Sequence, residues 1–385
     1  MNLRLGARIL ALLWLLAHLV AASFTQEVDV KVHIETINGR VPLSLAHLWG
    51  QRIEGLTADS VTYEMVRVEV QNNLPKLRTF HLKLELQGLG GPCVKTVSIG
   101  PMARAFVSGS PALNWDIVSG WVDERVGNLS VQLEEAGSLI YSDVLPVRLA
   151  GKDDIPIYAG SKPLYFLFVT RVQPKSKLVT EVLSQASQRM GFQWRKGIVG
   201  YQGYDDAGQM YEDIRKIYKT IQAMNFTYVN TPFSFEEGYQ RVKTPAEALG
   251  DRTGNCIDGT LVFASCIAAI GYNPIIAIIP GHALVIATLP PRDLSGTRMA
   301  RRRLNSMALR GGEPALPSYY ISWLPIETTV LQGRSQENLG LTRTTFEEAV
   351  RTATEELREA GPAKTILVDV DAWRACGLLP SPEMR

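Results

Sequence analysis

At 385 residues, 46% hydrophobic and 20% charged, the chain has the composition of an ordinary globular protein of about two domains. A net charge of +2 argues against a general nucleic-acid binder. Four cysteines, Cys93, Cys256, Cys266 and Cys376, are too few for a disulfide scaffold, and their spacings match no zinc signature.

Residues 1–23 place Arg4 and Arg8 ahead of an apolar run over 9–22 that closes on Ala21, Ala22 and Ser23. This is the pattern of a secretory signal peptide, too short for a good membrane span. Nothing downstream approaches a spanning length, so the mature chain is expected not to be transmembrane and to be secreted or periplasmic. Export permits a disulfide among Cys93, Cys266 and Cys376; three buried free thiols are the alternative.

Over residues 24–150 apolar and polar residues alternate, at Val28, Val30, Val32 and Ile34, at Leu82, Leu84 and Leu86, at Leu129, Val131 and Leu133, and at Leu145, Val147 and Leu149. The alternation changes phase between Met65 and Val66, which predicts a bulge. Turn residues separate the runs, and strands at this spacing predict an antiparallel, Ig-like β-sandwich. Trp115 and Trp121 flank a further expected strand, packing in the core or offering a protein or glycan contact surface. No motif in this half carries chemistry.

Residues 151–157, Gly-Lys-Asp-Asp-Ile-Pro-Ile, read as a linker to a second domain over 158–385. There the continuous apolar run 164–169 predicts a buried strand, and helical spacing at Leu178, Val182, Ala186 and at Met210, Ile214, Ile217, Ile221 predicts two helices. Residues 226–249 are rich in aromatics and turn formers and include Tyr228 and Gln240.

The stretch 253–288 holds the chemistry. Asn255 is an N-cap before Cys256, Asp258 falls in the first turn, and the apolar run that follows predicts a buried helix ended by Gly271 and Pro274. Residues 275–279 and 282–287 are β-branched and apolar, joined by Pro280-Gly281, with His282 at the mouth of the second strand. A thiol becomes a nucleophile at neutral pH when a base takes its proton, and a helix N-terminus favours the thiolate. One stretch therefore carries a nucleophile, its electrostatic support and its base.

Residues 290–318 form a long insertion with Arg292, Arg298, Arg301, Arg302, Arg303 and Arg310 against Asp293 and Glu313. It is read either as a solvated loop or as a lid or dock for an anionic cell-envelope or extracellular polymer. Residues 322–329 predict another strand, 346–360 an amphipathic helix with Phe346, Ala349, Val350, Ala353 and Leu357 inward, and 365–370 a closing strand.

Gly-Asn-Cys-Ile-Asp at 254–258, the helix ending Ala-Ile-Gly-Tyr-Asn-Pro at 269–274, Pro-Gly-His-Ala at 280–283 and Ser-Trp-Leu-Pro-Ile-Glu at 322–327 together resemble the transglutaminase-like superfamily. The resemblance implies an α+β, papain-like second domain and a catalytic Cys256, His282 and Glu327. The family more often carries Asp at the third position and reaches it sooner.

The mechanism implied is attack of the Cys256 thiolate on a peptide or carboxamide carbonyl, with His282 moving the proton and Glu327 orienting the imidazole. The Cys256 N–H and Gln240 are the oxyanion candidates. Water as acceptor makes a peptidase or amidase, and an amine makes a transglutaminase. No cofactor or metal is implied, and the partner is a protein or peptide substrate. The competing reading is a catalytically inactive envelope or adhesion module whose sandwich binds a protein or glycan.

Overall fold

The computed structural model describes residues 27–53, 62–189, 197–200, 207–229, 238–289, 323–332, 334–336, 340–342 and 344–382. Residues 1–23, read above as a signal peptide, and the arginine-rich run 290–318 lie outside the described residues. The chain combines α-helices with several sheets and divides into two compact units. They are interleaved in sequence: 1–35, 64–113 and 127–146 form one, and 36–63, 114–126 and 147–385 the other.

In the first unit, strands β1 (Val28–Ile34), β2 (Val66–Asn72), β3 (Arg78–Leu86), β4 (Cys93–Ile99), β5 (Arg104–Gly109), β6 (Arg125–Glu135) and β7 (Ser138–Ala150) are the expected alternating runs and their neighbours. β1, β2 and β5 form one antiparallel sheet, with Val30 opposite Val70 and Val68 opposite Val107. β7, β6, β3 and β4 lie side by side in that order in another. Val66, Val68 and Val70, Phe80 to Leu86 on alternate residues, and Leu129, Val131 and Leu133 are fully buried, as period-two burial requires. The phase change at Met65 is no bulge: β2 begins at Val66, and Tyr63 bridges Gln51 instead.

Three expectations in the second unit are corrected. Residues 151–157 are not a linker. Gly151 to Ile157 are buried, Asp154–Pro156 is a strand (β8), and a Cβ at Gly151 would stand 2.0 Å from the Val122 carbonyl oxygen. The polar run is an internal ion cluster: Lys152 Nζ lies 2.8 Å from Asp153 and 2.6 Å from Glu247, a partner remote in sequence. The run 164–169 is not a strand but belongs to a buried 3₁₀ segment, Tyr165–Arg171, because an all-apolar run has no period to tell one from the other. The expected strand between Trp115 and Trp121 is a single helical turn, Trp115–Val118, capped by Asn114. All four cysteines are free.

Predicted runs become α1 (Lys177–Ser187), α2 (Ala207–Ala223), α4 (Cys256–Ala269), β12 (Asn273–Ile279), β13 (His282–Thr288), β14 (Trp323–Ile326), α5 (Phe346–Ala360) and β15 (Ile366–Asp369), whereas β9 (Thr227–Tyr228), β10 (Tyr239–Arg241), α3 (Pro245–Asp251) and β11 (Thr253–Gly254) arise where the sequence reading set no element. β14, β13, β12 and β15 form an antiparallel four-stranded sheet. One face of it, with Ile276, Ala283, Val285 and Ile326, packs with Leu261, Val262 and Phe263 of α4 in the main core. The other, with Ile275, Ala277, Leu284 and Ile286, packs with Ala353 and Leu357 of α5. No described helix is long and apolar enough to cross a membrane.

Candidate active site

α4 starts where the sequence places it. Asn255 Oδ1 accepts from the Asp258 N–H at 3.0 Å, and Asp258 Oδ2 accepts from the Asn255 N–H at 3.0 Å, a reciprocal capping box. Asp258 Oδ1 also accepts from the Lys243 N–H at 2.9 Å. Asn255 and Asp258 thus fix the first turn, and Cys256 at its head is 5% exposed. Burial pushes the Asp258 carboxyl up to about 6, against its hydrogen bonds.

His282 opens β13 after the Pro280-Gly281 turn, where Gly281 takes a φ of +74°. Ile326 lies opposite Val285, so the register continued by one residue sets Glu327 near Leu284, two positions from His282 and on the same face. His282 Nε2 and Glu327 Oε2 are 2.5 Å apart. The other Glu327 oxygen accepts from the Thr329 N–H at 2.7 Å and its hydroxyl at 2.5 Å. Cys256 and His282 line the same cavity, and Cys256 is near enough to act on the charge of the imidazole. Burial alone lowers the His282 pKa, but hydrogen bonds and charge from Cys256 and Glu327 outweigh it and hold the imidazole up at about 10. Burial likewise opposes ionisation of Glu327, and the bonds from His282 and Thr329 hold it below the usual carboxylate range.

A glycine sets the approach of α4 to this acid. A Cβ on Gly259 would stand 2.8 Å from Thr328 Oγ1, so the glycine lets the residue after Glu327 pack directly on the helix one turn beyond Cys256.

Cys256, His282 and Gln240 line one cavity of about 430 Å³. Its walls are mostly apolar, with Tyr158, Tyr165, Phe168, Ile257, Ile279 and Ile366, and Lys364 also lines it. The Tyr158 and Tyr165 hydroxyls are 2.5 Å apart, their rings edge to face. Gln240 is not on a surface loop: it is buried in β10, paired with Ile155 of β8. Its Nε2 donates to the Arg241 carbonyl at 2.9 Å, and its Oε1, an acceptor, has no hydrogen-bond partner among the described residues.

Two further residues belong to the site. Tyr228 of β9 pairs with Gly254, and burial, then the charges of Cys256 and Glu327, raise its phenol. Glu356 of α5 brings Oε2 to 3.6 Å from His282 Nε2. It flanks the apolar stripe of α5 rather than pointing away from it, and that offset is the sequence signal it carries.

His282, Glu327 and Glu356 hold their ligand atoms within 4.8 Å of one another. Two ligands of one tetrahedral zinc, each about 2.0–2.1 Å from the metal, stand roughly 3.4 Å apart. The 2.5 Å between His282 and Glu327 is instead a hydrogen-bond separation.

No protein-family model matches the chain, and no curated protein matches it at a significant level. Among solved structures, 33% of the chain is similar to 97% of a FixG-related protein from Vibrio parahaemolyticus, at 9% identity and a TM-score of 0.19. Another, a structural genomics target designated SoR45, covers 34% of this chain with 90% of its own, at 12% identity and a TM-score of 0.17. The exo-beta-D-glucosaminidase CsxA covers 59% of this chain with 30% of its own, at 9% identity and a TM-score of 0.19. Likenesses this slight carry nothing about fold or chemistry.

Proposed function

We propose that the chain is an exported, cysteine-dependent acyl-transfer enzyme of transglutaminase-like architecture that also carries a β-sandwich. The observation that carries this reading is the 2.5 Å contact of His282 with Glu327 beside a cavity that His282 and Cys256 both line. A nucleophile, a base and an orienting acid in series are the parts that acyl transfer needs. Export rests on the pattern of residues 1–23.

In this mechanism His282 takes the proton of Cys256, and Glu327 steadies the imidazolium that results. The thiolate attacks the carbonyl, and the Cys256 N–H, with Gln240 or Tyr228 as second donor, receives the oxyanion. His282 then protonates the departing amine or ammonia. Water or an amine resolves the thioester, with His282 taking the proton of that acceptor. The cavity walls select an acyl donor with an aromatic or branched apolar group beside the scissile carbonyl.

Alkylation with iodoacetamide at neutral pH, read by mass at each cysteine, tests the reading. Cys256 is expected to label faster than Cys93, Cys266 and Cys376, and to lose that advantage in His282→Ala. Burial pushes the Cys266 thiol up to about 12, so it serves as the inert reference. Indifference of Cys256 to the substitution points to the inactive module.

A further inference from the structure

A histidine served by one carboxylate is complete as a base and its orienter, yet a second carboxylate reaches the same nitrogen here. Glu356 Oε2 lies 3.6 Å from His282 Nε2, on the helix that covers the sheet face shared by His282 and Glu327. That oxygen is buried and accepts no hydrogen bond among the described residues. Nothing in helix packing asks for it: the stripe that holds α5 to the sheet is Phe346, Ala349, Ala353 and Leu357.

We infer that Glu356 is a positioning residue for the His282–Glu327 pair, releasing or reinforcing it through a proton shared with Glu327. The inference rests on the acyl-transfer reading of the site. Two carboxyls this close cannot both ionise freely, so one keeps a proton longer than usual. Burial, then the neighbouring Glu327 carboxylate, whose ligand atom lies within 4.8 Å, push Glu356 up to about 7, against the opposing charge of His282. Glu359 on the same helix adds to the push. The strands behind α5 contribute Ile275, Ala277, Leu284 and Ile286, which carry no charge, and Lys364 is among the residues that line the cavity with His282.

The protonation state then decides what His282 feels. With Glu356 protonated, its O–H donates to Glu327 and takes up part of the charge that holds the imidazolium. With Glu356 ionised, both carboxylates face Nε2, the imidazolium is held more firmly, and the paired Cys256 thiolate gains. The centre is therefore more nucleophilic above neutrality than below it.

The test follows the ¹⁵N imidazole signals of the full chain from pH 5 to 9, with His282 assigned by their loss in His282→Gln. Wild type is expected to show a step near pH 7 at His282 while its ring stays protonated. Glu356→Gln, which keeps a donor toward Glu327 at every pH, and Glu356→Ala should both lose the step. Glu355→Gln, an exposed neighbour, should keep it. In parallel, iodoacetamide labelling of Cys256 at pH 8 should slow roughly threefold in Glu356→Gln, because a carboxylate that steadies the imidazolium beside the thiol is then absent. A step that persists in Glu356→Gln, or no step in wild type, overturns the inference. A lost step with labelling of Cys256 that ignores His282 keeps Glu356 as the proton partner of the pair and removes the acyl-transfer reading instead.

Discussion

His282 Nε2 and Glu327 Oε2 meet at 2.5 Å across two antiparallel strands whose connection runs through the arginine-rich insertion. The closure cost of a long flexible connection grows only slowly with its length, so the insertion need not disturb the pair. What fixes the pair is register. Val285 opposite Ile326 and Thr288 opposite Trp323 leave His282 and Glu327 as diagonal neighbours on the face covered by α5. A slip of one residue would turn Glu327 to the other face.

Glu327→Gln is expected to lower turnover roughly 10²–10⁴-fold, the range that general acid–base catalysis contributes, because the histidine is left in the wrong tautomer. The amide keeps the size of the acid and an oxygen for Thr329, so the melting temperature should change little. The His282 pKa should fall from about 10, because a neighbour whose charge raises it is removed. Kinetics paired with an imidazole titration check this; an unmoved titration would show that Glu327 is not the orienter.

Gly259→Ala tests whether the close approach of α4 positions the acid. The methyl gains up to about 1 kcal/mol of helix propensity, which would stabilise an unhindered site. Here it meets Thr328 Oγ1 at 2.8 Å in a buried contact, and overpacking costs about 1–3 kcal/mol. The expected outcome is a net loss of about 1 kcal/mol in urea unfolding, together with slower labelling of Cys256. A more stable protein would mean that Thr328 gives way freely.

Much of this site is visible in the chain because its signals are local. Asn255 before Cys256 and Asp258 after it announce a capped helix, and Pro280-Gly281 announces the turn that delivers His282. Glu327 is harder, since no period links it to His282 across the insertion. Glu356 has no signal except its offset from the α5 stripe, because its role depends on a nitrogen on another element. The run 151–157 misleads for the same reason: Lys152 and Asp153 look solvated until Glu247 and Arg171 are brought in beside them. Composition reports the polarity of a residue and not the location of its partner.

Asp258 should give a distinctive acid profile. Its folded pKa, about 6, lies above the ordinary 3.8, so the folded state binds its proton more tightly. The associated stability is full below about pH 4 and is lost as pH rises through about 6, on the order of 3 kcal/mol in all. Asp258→Asn cannot titrate, and with a single acceptor oxygen it leaves one of the two backbone N–H groups unpaired, a constant penalty of about 1–3 kcal/mol. The stability difference between wild type and Asp258→Asn, from urea unfolding at pH 4, 5, 6 and 7, should therefore shrink with rising pH and then level off. A difference that is flat across that range would place the Asp258 pKa near its ordinary value.

The His282–Glu327 pair should set an alkaline limit as well. His282 titrates at about 10 in the folded protein against an ordinary 6.5, so its stabilisation is full below about 6.5 and drains away as pH rises through about 10. Glu327, held below the usual carboxylate range, works the other way: its contribution is present above its ordinary 4.5 and is lost as pH falls below that. The pair therefore supports the fold most between about pH 5 and 7. Above that window one proton is released on unfolding, which bounds the slope at about 1.4 kcal/mol per pH unit. Urea unfolding from pH 7 to 10 should show this decline in wild type and a much shallower one in His282→Gln. Turnover should fall over the same upper range, because a histidine that has lost its proton cannot deliver it to the leaving amine. If stability declines with pH as steeply in His282→Gln as in wild type, the titrating group lies elsewhere, and His282 is not the proton store that the mechanism requires.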